Sequence, residues 1–375
     1  MEKKGIVKSV IFYVVAVVAF LLLLTLMLLT RCNVIGLIVL TAAFVGLCVV
    51  RHFWWGGFKT IVCWLMVLVV GVGTVPLTNT ISLHGSLESL YKRYVYAPSV
   101  PPRDPNEPVE KSADIWGEVE GMTLSQFQYN NIDMKLLEAN DGNGKVVLQF
   151  HGGAYVYPLN KSFEKMAVRY SDICGGADVL TFDYRVAPEN PYPAALDDAV
   201  SAYGWLLNNG YDSKDIIFIG DSAGGGLALA TCLYLRDNQM PLPLCIITES
   251  AWTNLNFDGE SVETNKQKDP GFYEGSPLTG DLIDSTYIGN DSAYNPYISP
   301  VYGDFTGFPP MLMQAGENER LLSDTTDVAA KAESQGVQVQ CTVYSQMYHE
   351  FQVDAPEIPE SQRAFEEMRE FVRRL

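Results

Sequence analysis

The sequence predicts an α/β domain on a mostly parallel sheet, preceded by apolar segments long enough to cross a membrane. Three observations carry this reading. Short apolar runs alternate with helix-length segments through the second half of the chain, a glycine-flanked serine sits between one such run and the next helix, and charge nearly vanishes between Lys8 and Lys59. Alternation of strand and helix is the pattern of parallel sheets, whose connections must cross back over a face.

The apolar part comes first. Between Lys8 and Lys59 the only charges are Arg31 and Arg51, and apolar runs fall at about 6–29, 34–50 and 60–77. Each approaches the roughly 20 residues that a helix needs to span hydrocarbon. Lipid offers the backbone no partners, so such runs are expected to be helical. The second turn holds Phe53, Trp54 and Trp55, ring types that favour the interface. A cleaved signal peptide fits less well, because no small-x-small site follows the first run and two more apolar runs do. Arg31 likewise argues against a lipid anchor at Cys32. Residues 1–78 are therefore read as a membrane domain with three spans, and residues 79–375 as a separate domain. Lys3, Lys4, Lys8, Arg51 and Lys59 fall on one side and Arg31 on the other, which directs the N-terminus to the cytoplasm. Three spans then place the large domain outside the cytoplasm, at the cell membrane. Two spans, the alternative left by the shortness of the second and third runs, would face it inward.

Charge divides the same way. Residues 1–78 hold six cations against Glu2, a net +5, and the whole chain is −18, which leaves −23 for residues 79–375. A domain this acidic repels phosphate backbones, so a nucleic-acid partner is excluded. The seven cysteines include no CxxC pair, so neither a zinc site nor a redox motif is indicated, and Cys174, Cys232, Cys245 and Cys341 are expected to be buried free thiols.

In the large domain, residues 97–108 are rich in proline and read as an extended linker. Strands are expected at 145–150, 178–182, 216–220, 244–248, 311–315 and 337–344, with helices at 162–174, 194–208, 223–236 and 325–335 between them. Function in such sheets gathers at the C-terminal strand ends, and the chemistry-bearing motifs lie there. Gly220-Asp221-Ser222-Ala223-Gly224 follows one strand and opens a helix. Glycines leave room for a tight strand-to-helix turn that presents the Ser222 hydroxyl, and the helix N-terminus favours developing negative charge. His151-Gly152-Gly153-Ala154 follows another strand. Its amides could hold the oxyanion of a tetrahedral intermediate, together with the amide of Ala223.

A serine needs a base to be nucleophilic near neutral pH. Of the four histidines, His52 lies at a membrane turn, His84 just past the last span and His151 in the glycine loop, which leaves His349 after the last strand. The acid should lie between serine and histidine in the chain. Glu319, beyond the strand at 311–315, could reach the imidazole, with Glu317 and Asp324 as rivals and Asp324 also suited to capping the next helix.

These motifs recur in one family. His151-Gly152-Gly153-Ala154, Asp183-Tyr184-Arg185-Val186-Ala187-Pro188-Glu189, Gly220-Asp221-Ser222-Ala223-Gly224-Gly225, Asn295-Pro296-Tyr297-Ile298-Ser299-Pro300 and His349-Glu350-Phe351 stand in this order. With them the domain resembles the hormone-sensitive-lipase-like α/β hydrolases, which include bacterial esterases and arylacetamide deacetylases. The resemblance runs from about residue 146 to 351. It implies the α/β-hydrolase fold with helices on both faces of the sheet, a Ser222–Glu319–His349 triad, and an oxyanion hole from Gly152, Gly153 and Ala223. It also implies a cap, here from about 83–116 and 256–284. The family usually has aspartate at the acid position, where this chain has Asn318-Glu319.

The expected chemistry is cleavage of small carboxylic esters through an acyl-serine, with no metal or organic cofactor, and the expected partners are a small ester and the lipid bilayer. An amidase or a deacetylase of a cell-surface glycan or lipid would use the same residues. A non-catalytic binding protein on this fold is the alternative from another class, and relatives of that kind often lose the base that His349 supplies here.

Overall fold

The computed structural model describes residues 14, 17, 18, 21, 82–92, 95, 119–276, 279 and 285–375. Eight strands form one sheet in the order β1-β2-β4-β3-β5-β6-β7-β8. They are β1 (Met122–Tyr129), β2 (Ile132–Ala139), β3 (Val146–Phe150), β4 (Asp178–Asp183), β5 (Ile216–Asp221), β6 (Cys245–Glu249), β7 (Met311–Gly316) and β8 (Val339–Tyr344). The β1–β2 and β2–β4 pairs are antiparallel, and every other pair is parallel. The helices are α1 (Leu83–Tyr91), α2 (Lys161–Ile173), α3 (Ala194–Asn208), α4 (Ser222–Asp237), α5 (Glu260–Thr264), α6 (Leu322–Ser334), α7 (Phe351–Asp354) and α8 (Pro359–Arg373).

The central strands are buried on both faces, which explains their unbroken apolar runs. Val146, Leu148, Phe150, Ile216, Phe218, Ile246, Met311 and Met313 join the core beneath α3, α4 and α6. The alternate residues Val147, Ile217, Ile219, Cys245, Ile247 and Leu312 join a second core with α2 and α8. Helices thus cover both faces, as expected, and the strand period of two sorts the side chains between them. The strands and helices expected from residue 145 onward all occur, with ends displaced by at most three residues.

Among the elements the sequence reading did not give, the β1–β2 hairpin and α8 frame the sheet. The β1–β2 hairpin closes on the Tyr129–Ile132 pair through Asn130 and Asn131, whose φ angles are 50° and 63°. A two-residue turn of this twist needs positive φ at both positions, which asparagine tolerates better than most residues. α8 closes the far edge. Its Glu367 accepts from Gln314 of β7 and from Gln340, Thr342 and Tyr344 of β8.

Cys174, Cys232 and Cys245 are buried free thiols, but Cys341 is exposed. It lies on edge strand β8, where Cys341 and Val343 alternate outward. That corrects the expectation for Cys341. Of the three apolar runs, only Val14, Val17, Val18 and Leu21 are described, all helical with exposed side chains. The spans expected at 6–29, 34–50 and 60–77 otherwise lie outside the described residues, as do Cys32, Cys48, Cys63, His52, the linker at 97–108 and most of the cap stretch at 83–116. Among the described residues no helix is long and apolar enough to cross a membrane.

Phe218 is fully buried at the middle of the sheet, 4.9 Å from the Phe150 ring and 5.4 Å from the Tyr203 ring. Phe218→Ala should cost about 3–5 kcal/mol, the range for truncating a buried aromatic side chain. Urea unfolding followed by tryptophan fluorescence measures it.

Candidate active site

Six parallel strands end on one side of the sheet, and the chain leaving β3, β5, β6, β7 and β8 there carries the parts of the site. β5 runs straight into α4, so Ser222 takes φ 48°, a left-handed conformation that costs a non-glycine residue about 1–3 kcal/mol. The neighbouring glycines make this possible. A Cβ on Gly220 would meet the Gly224 carbonyl oxygen at 2.5 Å, one on Gly224 would meet the Phe150 carbonyl oxygen at 2.1 Å, and one on Gly226 would meet the Trp252 carbonyl oxygen at 2.2 Å. The Trp252 amide donates to the Ser222 carbonyl at 2.8 Å, which ties the turn to the β6 loop.

The structure brings Ser222, His349 and Glu319 into one hydrogen-bonded row. Ser222 Oγ lies 2.9 Å from His349 Nε2, and His349 Nδ1 lies 3.3 Å from Glu319 Oε2. All three side chains are buried. Glu319 Oε1 accepts from the Ser250 hydroxyl at 2.8 Å and from the Gly316 amide. Ser250, at the end of β6, accepts in turn from the Glu350 amide at 3.0 Å. One hydroxyl therefore fastens the acid to the loop that carries the base. Asn318 tightens the same junction, since its amide and Nδ2 donate to the carbonyls of Met347 and Gln346, both at 2.9 Å.

The rival acids are placed elsewhere. Asp324 accepts from the Thr253 and Asn254 amides, each at 2.7 Å, and burial pushes its carboxyl up to about 8 despite those donors. Glu317 accepts from Ser345 Oγ and the Gln346 amide, each at 2.8 Å.

The glycine loop leaves β3 beside this row. Gly153 has φ 112°, Ala154 52° and Tyr155 60°. Consecutive residues of positive φ direct successive amides into one concavity, a form suited to an anion. Gly152 is differently engaged. Its amide faces the Asp221 carboxyl, and a Cβ there would lie 2.2 Å from Asp221 Oδ2 and 2.5 Å from Glu350 Oε1. His151 is fully buried and stacks on the Tyr184 ring at 4.0 Å, with Nδ1 2.7 Å from the Gly152 carbonyl oxygen. Burial lowers its pKa, so it supports the loop as a neutral ring.

The described part of the expected 256–284 cap closes over the imidazole. The Phe272 ring meets His349 edge-on at 4.8 Å. Arg320, next to Glu319, donates to the carbonyls of Val262 at 2.9 Å and Phe272 at 3.2 Å, and its amide donates to Asp269 Oδ2 at 2.8 Å. Among the described residues no three His, Cys, Asp or Glu side chains converge in a way that could hold a metal ion.

Sequence reading missed Ser250, Asp221, Glu350 and Asp269. Asp221 and Glu350 adjoin the serine and the histidine in the chain, a signal that was available. Ser250 and Asp269 lie in loops whose approach depends on tertiary contacts.

Burial pulls the His349 pKa down, but the Glu319 hydrogen bond and the Glu350 and Glu319 carboxylates outweigh it and hold the imidazole at about 9. The cationic ring thus stabilises the fold fully below its unfolded value near 6.5, and this contribution is lost as pH rises through about 9. An NMR titration of His349 should show the raised midpoint. In Glu319→Gln the midpoint should fall, because burial then acts with less opposition.

Comparison with known proteins places the chain among related sequences and structures. A family described as alpha/beta hydrolase fold matches residues 147–353. An acetyl-hydrolase from Streptomyces hygroscopicus is 36% identical over 233 residues, 62% of this chain and 76% of the relative. An esterase from Acinetobacter venetianus is 32% identical, over 64% of this chain and 78% of the relative. Among solved structures, an esterase from the bacterial hormone-sensitive lipase family is 30% identical with a TM-score of 0.67, covering 78% of this chain and 98% of that one.

Proposed function

We propose a catalytic cycle from the premise that this chain belongs to the α/β-hydrolase fold family. The protein is a carboxylic ester hydrolase, in line with the esterase and acetyl-hydrolase relatives and the esterase structures it resembles. In the proposed cycle Ser222 attacks the ester carbonyl while His349 Nε2 takes the hydroxyl proton. The tetrahedral intermediate collapses to an acyl-serine as its C–O bond breaks and His349 gives that proton to the departing alkoxide. Water, giving a proton to His349, then attacks the acyl-serine, and the acid leaves as the proton returns to Ser222 Oγ. Above the imidazole midpoint of about 9 the ring is neutral, and Glu319 then holds it in the tautomer that leaves Nε2 free to accept and steadies the imidazolium that forms. The observation that carries this reading is the 2.9 Å contact between Ser222 Oγ and His349 Nε2, backed at 3.3 Å by Glu319.

Gly153 and Ala223 are proposed as the oxyanion donors. Gly153 belongs to the left-handed run of the loop, and Ala223 is the second residue of α4, where amides have no partner within the helix. Gly152, the other donor expected from the sequence, lies beside the Asp221 carboxyl, where a Cβ would meet Oδ2 at 2.2 Å, and is proposed to fasten the loop there. Short acyl esters are the proposed substrates, and the 256–276 segment that brings Phe272 against His349 supports its part in the cap.

The proposal extends to the cell membrane. The three apolar runs, with cations concentrated on the side of the N-terminus, support a three-span anchor that places the hydrolase domain outside the cytoplasm. Protease added to intact cells should then cleave within residues 79–375, whereas a two-span topology would protect them.

Ser222→Ala should lower hydrolysis of p-nitrophenyl butyrate by about 10³-fold or more while leaving the fold intact. A fluorophosphonate probe should label the unaltered protein at Ser222. A folded protein that takes no label, or a serine variant that keeps its turnover, overturns the catalytic assignment.

A further inference from the structure

A second carboxyl pair lies against the site, on the other side of His349 from Glu319. Glu350 Oε1 is 4.0 Å from His349 Nε2, the nitrogen that meets the serine. Asp221 Oδ2 and this oxygen both crowd the space beside Gly152, where a Cβ would lie 2.2 Å from the first and 2.5 Å from the second. Asp221 is 1% exposed. Among the described residues no hydroxyl, ammonium or guanidinium donates to either Asp221 oxygen or to Glu350 Oε1. The groups they face are each other, the Gly152 amide and the imidazole.

The surroundings make two separate charges costly. Glu249, the register partner of Asp221 on β6, faces the pair and accepts from the Tyr170 hydroxyl of α2. Tyr184 faces it from beyond β4. Asp354 of α7 adds a further carboxylate and is paired with Lys92. Two carboxylates at this range, with no cation between them, do not both ionise. The remaining proton belongs on the more buried partner. Asp221 is nearly inaccessible, whereas the Glu350 side chain is 20% exposed.

Resting on the acyl-transfer reading above, we propose that Asp221 and Glu350 share one proton, and that the pair positions His349 and steadies its imidazolium from the side opposite Glu319. Asp221 keeps the proton and donates it to Glu350, which leaves the charge beside Nε2. When the Ser222 proton moves to Nε2, the cation forms between two carboxylates. When that proton passes to the departing alkoxide, the pair returns to its resting state with its own proton unmoved. Burial, and then the Glu350 charge, raise the Asp221 pKa well above the usual carboxylate range, in keeping with this arrangement. Glu350 is thus a positioning residue that adds its charge to that of Glu319. Its backbone is left-handed, φ 56° and ψ 32°, at the residue that follows His349.

The test is Glu350→Gln in the full-length protein, which keeps the shape and removes the charge. The rate of p-nitrophenyl butyrate hydrolysis against pH should show an acid limb lowered by about one pH unit, because His349 loses one of its two carboxylates, with kcat/KM at the plateau down about tenfold. Fluorophosphonate labelling and thermal unfolding run alongside. A folded, labelled variant whose profile superimposes on the original overturns the pair's role. If the unaltered protein takes no label, the acyl-transfer reading itself has failed. A variant that does not fold moves the decision to infrared spectroscopy near pH 10, above the values of about 7 and about 8 to which burial brings Glu249 and Asp324. There the unaltered protein should show a protonated-carboxyl band that Asp221→Asn removes, and its absence overturns proton sharing.

Discussion

Everything at this site hangs from the turn at Ser222. A strand that passes into a helix without a loop forces the intervening residue into the left-handed region, and the chain tolerates this because Gly220 lets the turn close on Gly224 while Gly224 and Gly226 let two other backbone segments close in. The carbonyls of Phe150, His151 and Trp252 occupy the space that side chains would have needed. The glycine loop and the β6 loop are therefore fixed by contact with the nucleophile turn itself. This is preorganisation in a literal sense: the atoms that meet the substrate are held by backbone packed against backbone.

The loops on the far side are held by polar bonds. Ser250 joins Glu319 to the backbone beyond His349, Asn318 joins the β7 and β8 loops, and Arg320 joins the acid loop to the segment that brings Phe272 over the imidazole. Several carboxylates crowd this region, and their donors sort them by task. Asp324 is spent on two backbone amides, Asp269 on the amides of Arg320, Gly271 and Phe272, and Glu249 on a tyrosine hydroxyl. Glu319 keeps one oxygen for the serine hydroxyl of residue 250 and the other for the imidazole.

Much of this was legible in the sequence. The parallel core strands announce themselves as apolar runs because both faces are covered, and the glycine pattern around Ser222 has a steric cause that any reader can infer. His349 followed by elimination. Choosing Glu319 over Asp324 and Glu317 required coordinates, since all three lie within eight residues and only the path of the loop decides which reaches the ring. The β1–β2 hairpin was readable in principle from Asn130-Asn131, but β1 is partly exposed and both strands mix apolar with polar residues. The different engagement of Gly152 was not readable, because an adjacent pair of glycines looks uniform until its neighbours are placed.

The order of the parts along the chain has a consequence for biosynthesis. The serine lies at residue 222, the acid at 319 and the base at 349, and Glu367 of the last helix receives the polar side chains of the strand that leads to the base. Translation that stops between residues 222 and 349 yields a polypeptide that holds the serine and lacks the base that activates it. The ribosome thus releases a competent hydrolase only with the final segment, and prematurely terminated products are inert.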